Sequence, residues 1–121
     1  MRALAVVQGL YYLLTGLWPL VSIDTFQAVT GAKTDLWLVQ TVGLLIAVIG
    51  ASLLAASRRG SPGPETVVLA AGSALALGTI DVVYSLKGVI SKIYLLDAPV
   101  EGALAAGWLV SRFGKARGDS L

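Results

Sequence analysis

Residues 36 to 57 read LWLVQTVGLLIAVIGASLLAAS, and none of them is charged. A helix in a soluble bundle carries a polar face, because one side of it meets water. A run this long without such a face is expected to lie in hydrocarbon, where ~20 apolar residues cross a layer ~30 Å thick. Runs of similar length and character occupy residues 3–21, 66–86 and 92–110. Composition agrees with this reading. Only 13% of the residues are charged and mean hydropathy is +0.81, whereas soluble domains average about a quarter charged. The expected fold is all-α: a four-helix transmembrane bundle forming one integral membrane domain.

The first run follows Arg2 and has the outline of a signal peptide. It lacks a small-residue cleavage site, and Tyr11, Tyr12, Trp18 and Pro19 suit a retained span better. The connections differ in kind. RRGSPGP, residues 58 to 64, reads as a turn, since its prolines and glycines break a helix and Glu65 then favours the next first turn. Residues 87 to 91 form a tight link. Residues 22 to 35, SIDTFQAVTGAKTD, are longer and half apolar. Ser22 or Asp24 can cap a short helix there and Gly31 can end it, with Phe26 and Val29 lying in the interface. The bundle is therefore expected to carry a short interfacial helix between spans one and two.

Orientation follows from the basic residues. Arg2, Arg58, Arg59, Arg112, Lys115 and Arg117 fall on one side, and Lys33, Lys87 and Lys92 on the other. The richer side is expected in the cytoplasm, with both termini, in the inner (plasma) membrane. The net charge of +2 is then a topological signal rather than a sign of nucleic-acid binding.

Chemistry is bounded by absences. The chain has no Cys and no His, which excludes thiol redox chemistry, thiolate metal sites and the commonest general base. No phosphate loop, zinc motif or nucleophile triad is present, so no cofactor is expected. Polar residues in the spans carry the remaining signal. Asp97 and Glu101 are four apart and share a helical face. Glu101 lies ~13 Å below Lys92 at 1.5 Å per residue, close to the bilayer middle. Asp81 lies in the last third of the preceding span, which a short link makes a neighbour. Acids within a membrane face a bundle interior or a water-filled cavity and mark a candidate site. Three carboxyls together cannot all ionise cheaply, so at least one is expected to hold a proton. With termini inside, all three lie in the outer leaflet half, and Tyr12, Tyr84, Gln40 and Trp37 are expected to line the same pocket. For Asp81 and Asp97 a plain interfacial position accounts for the sequence equally well, as does, for Asp97, an ion pair with Lys87 or Lys92.

Other features read as packing. Gly43, Ala47 and Gly50 line one face of span two, and Gly102 with Ala106, or Ala103 with Gly107, do so in span four. Such faces let helices approach closely, within one chain or between chains. Gln8, Gln40 and Thr15 suit interhelical hydrogen bonds, while Trp18, Trp37, Tyr94 and Trp108 suit interface anchors. The basic tail after Phe113 reads as disordered.

The stretch WPLVSIDTFQAVTGAKTDLWLVQTVGLLIAVIG, residues 18 to 50, resembles small bacterial four-span membrane proteins of the DoxX-like group. Its elements are a first span ending at Pro19, an amphipathic segment from Phe26 to Gly31 and a glycine-rich second span. The resemblance implies a four-helix membrane fold and supplies no site residues.

Three functions fit the residues. The first is binding or transport of a small cation, a proton or an amphipathic molecule through an acidic outer pocket formed by Asp81, Asp97 and Glu101. The second is an accessory subunit, or homo-oligomer, that packs against another membrane protein through its Gly/Ala faces. The third, an enzyme working on a lipid-like substrate with paired carboxylates, ranks last because no nucleophile or metal set accompanies them. The partners expected are the bilayer and a small ligand or a membrane protein, and not nucleic acid.

Overall fold

A computed structural model describes residues 2–59 and 62–118 of the chain. Among these residues it forms five helices: α1 (Arg2–Val21), α2 (Ile23–Thr30), α3 (Leu36–Ser57), α4 (Pro64–Leu86) and α5 (Tyr94–Gly118). Length and composition allow α1, α3 and α4 to cross a membrane. α5 is not among those three; Asp97, Pro99 and Glu101 fall in its first two turns. The outward surfaces of α1, α3 and α4 are apolar, with Leu14, Leu44, Leu45, Val48, Val68 and Leu75 all exposed.

Local chemistry sets the helix ends. Ser22 caps α2, accepting a 3.4 Å hydrogen bond from the Thr25 amide. Gly31 stops it at φ 100°, a backbone angle that side chains other than glycine's disfavour. Pro64 occupies the first turn of α4, where its missing N–H costs no helical bond. Just past the end of α4, Gly88 takes φ 77°, and the Val89 amide donates to Tyr84 O at 2.9 Å and the Gly88 amide to Ser85 O at 3.2 Å. This paired closure satisfies carbonyls that a helix end leaves free. The turn expected over residues 58–64 falls partly outside the described residues, at 60 and 61. The basic stretch expected as a disordered tail is helical to Gly118, while residues 119–121 lie outside the described residues.

The helices pair two by two. α1 packs along α3 and α4 along α5, with sparse contact between the pairs. Glycines make the first pairing close. A Cβ on Gly43 would lie 2.6 Å from Gly16 O and 2.8 Å from Pro19 Cγ, and one on Gly50 would lie 2.6 Å from Gly9 O. The order of these partners, Gly9 beside Gly50 and Gly16 beside Gly43, makes α1 and α3 antiparallel. Backbones this near each other gain dispersion that larger side chains would forbid.

The two pairs join at one end. Ala5, Leu53, Val67, Ala70, Ala71 and Trp108 form a buried cluster there, and Tyr12, Ala74, Leu104 and Ala105 extend it to mid-length. A polar link crosses this core. Gln8 Nε2 donates to Ala70 O at 2.9 Å, and Trp108 Nε1 donates to Gln8 Oε1 at 2.7 Å. One glutamine thus ties α1, α4 and α5. Trp108, expected as an interface anchor, is fully buried instead, because its ring fills the junction and its N–H has an internal acceptor.

Candidate functional site

Beyond mid-length the pairs part, and a cavity of about 680 Å³ opens between them. Its floor is polar. Tyr12, on the buried side of α1, donates a 2.6 Å hydrogen bond to Glu101 Oε1, and Tyr11 donates to Asp97 Oδ1. Asp81 reaches the same place from α4. Single carboxylate oxygens of Asp81, Asp97 and Glu101 all lie within 4.8 Å of one another, an arrangement that could hold an ion. Asp81 is 5% exposed and Glu101 2%. Asp81 Oδ2 has no hydrogen-bond partner among the described residues. A buried carboxylate oxygen left without a donor is costly, and such groups call for a specific explanation.

Apolar side chains make the walls: Val39, Val42 and Ile46 of α3, Leu77 and Ile80 of α4, and Ile93 and Leu96 next to or within α5. α2 folds over the wide end. Phe26 meets Trp18 edge-on with ring centroids 5.3 Å apart, and Trp18 Nε1 donates to Thr25 Oγ1 at 3.0 Å. Phe26, Val29 and Thr30 thereby face the cavity. Just past α2 stands Lys33. Its ammonium donates to Thr30 O and Gly31 O, each at 3.0 Å, and lies 5.9 Å and 5.3 Å from the ring centroids of Phe26 and Tyr94. The cavity therefore has acids at its depth and one fixed cation at the end that α2 covers.

Of the residues expected at the site, Asp81, Asp97, Glu101 and Tyr12 converge here. Tyr84, Gln40 and Trp37 do not line the cavity. Tyr84 is exposed with the Lys87 ammonium over its ring. Gln40 donates to Pro19 O at 3.3 Å and so fastens α3 to α1. Trp37 is 68% exposed at the start of α3. Position along a span placed all three at suitable depth, but helix rotation directs them elsewhere. Tyr11 and Lys33 are site residues that the sequence did not single out. Tyr11 is adjacent to Tyr12, yet each finds a different carboxylate because Asp97 and Glu101 are one turn apart. No protein-family model, curated protein or solved structure matches this chain.

Proposed function

We propose that this chain is a small integral membrane protein that binds a small cationic ligand at Asp81, Asp97 and Glu101. In this reading α5 joins α1, α3 and α4 as a fourth span. The termini and the 58–64 turn face the cytoplasm with the larger share of Lys and Arg, and α2 lies at the outer interface. The observation that carries it is the convergence of three carboxylates within 4.8 Å at the floor of a cavity, one with a buried oxygen that has no donor among the described residues. Like charges this close repel unless a proton or a cation sits among them. Among the described residues the tyrosine hydroxyls are their hydrogen-bond donors, and none carries a positive charge. A ligand cation supplies what the fold leaves out.

The accessory-subunit reading has less support. Of the two Gly/Ala faces it would use, the Gly43–Gly50 face of α3 is occupied by α1 within the chain, and the Gly102–Ala106 face of α5 alone stays exposed. The test is ligand-dependent stability of purified protein in nanodiscs of zwitterionic lipid, with inorganic and organic cations titrated in turn. A cation that occupies the site at a hundredfold its Kd raises stability by about 2.7 kcal/mol, and Glu101→Gln should remove that gain. A flat response to every cation would sink the proposal.

A further inference from the structure

Resting on that reading, we infer that the ligand is an amphipathic primary amine that enters from the bilayer between α3 and α4, its ammonium on the three carboxylates and its apolar body along the cavity wall. Two observations select this class over a metal ion. The first is the character of the cavity above the floor. Calcium takes 6–8 oxygen ligands and magnesium needs a near-octahedral set with several waters, but Val42, Ile46, Leu77 and Ile80 offer no oxygen there. The hydroxyls of Tyr11 and Tyr12 donate to Asp97 and Glu101, which leaves Asp81 as the carboxylate without a tyrosine donor. An ammonium has three N–H donors, which match one oxygen each from Asp81, Asp97 and Glu101 and give the orphan Asp81 Oδ2 a donor. The second is size. A volume of about 680 Å³ falls inside the range of ~300–1,000 Å³ typical of sites for organic ligands and far exceeds the space of one ion.

The route follows from what guards each opening. At the end covered by α2, Lys33 presents a positive charge held by two carbonyls and two rings, which repels an approaching cation. The α1–α5 seam is sparse in contact but is bridged by Tyr11–Asp97 and Tyr12–Glu101. Between α3 and α4, where contact is as sparse, the lining residues Leu38, Val42 and Ile80 are 45%, 45% and 48% exposed, and no side-chain hydrogen bond among the described residues crosses the seam. An apolar side entrance of this kind admits a molecule already dissolved among lipid chains.

Decylamine is the probe, with decan-1-ol as its neutral counterpart and calcium and sodium ions as the inorganic alternatives, all in zwitterionic nanodiscs. Wild type should bind decylamine at least about tenfold more tightly than decan-1-ol, as charge-assisted hydrogen bonds require. Glu101→Gln and Asp81→Asn should each lose most of that preference. Equal binding of amine and alcohol to wild type, a comparison independent of how the variants fold, overturns the inference. Carboxylate-dependent binding of calcium or sodium without amine preference overturns it too, while leaving the cation-binding reading intact. No carboxylate-dependent binding of any cation removes both. For the route, Ile80→Trp should slow decylamine association more than Lys33→Gln does; an equal or reversed order refutes entry between α3 and α4.

Discussion

Tyr12 on α1 and Glu101 on α5 meet through a 2.6 Å hydrogen bond, both almost fully buried at mid-length of the molecule. The bond closes the floor of the cavity and links the two helix pairs. Tyr12→Phe keeps the ring and deletes the donor. It should destabilise the protein by ~1–3 kcal/mol, the cost of a buried acceptor left unmade, as read from denaturant unfolding in detergent. A loss well under that range would show that Glu101 is satisfied by other means.

The Gln8–Trp108 bond allows a sharper comparison. Gln8→Leu leaves Trp108 Nε1 buried without an acceptor and should cost ~1–3 kcal/mol. Adding Trp108→Phe removes the orphan donor, so the double variant should recover part of the loss beyond the additive sum. A double-mutant cycle with no coupling would mean that the two side chains do not form this bond.

Glycines should split into two classes under alanine substitution. Gly43→Ala forces a Cβ to within 2.6 Å of Gly16 O, and overpacking of this sort costs ~1–3 kcal/mol. Gly102 and Gly72 have nothing within 4 Å of an added Cβ. Alanine at either should be neutral or stabilising by up to ~1 kcal/mol, because glycine is the poorer helix former. Thermal unfolding of the three single variants tests the ordering directly.

Topology can be read by single-cysteine labelling, which is clean because the chain has no native Cys. Cysteine at Thr34 should react with a membrane-impermeant maleimide on intact cells, and cysteine at Gly63 only after lysis. Reaction of both from outside would overturn the orientation.

Much of the helix plan was legible in the sequence. Apolar runs gave α1, α3 and α4 to within a few residues, and the Ser22 and Gly31 signals bounded α2. The acid cluster was legible too, because the spacing of Asp97 and Glu101 and the short link to Asp81 are local facts. What escaped depends on rotation about each helix axis. All-apolar surfaces leave little periodic contrast, so nothing local told whether Trp108 would turn inward, Tyr84 outward, or Gln40 toward Pro19. The α1–α3 contact escaped for a different reason. Gly43 and Gly50 stood out, but their partners Gly9 and Gly16 are seven apart on α1, where larger and more polar neighbours mask them, and pairing needs both strips.

Two helix pairs fastened from one end to mid-length make a lever with a short free arm. The α1 and α3 backbones touch along their length, so a change in cavity width comes from one pair turning against the other beyond the Gln8–Trp108 and Tyr12–Glu101 links. From Tyr12 to the end of α1 at Val21 the arm is ~14 Å at 1.5 Å per residue. A turn of about 5° at the junction, well within the small rigid-body motions that proteins use, moves the far end by ~1 Å. Side chains packed around the Gln8–Trp108 junction and the Tyr12–Glu101 bond thus set how wide the acid-floored chamber stands.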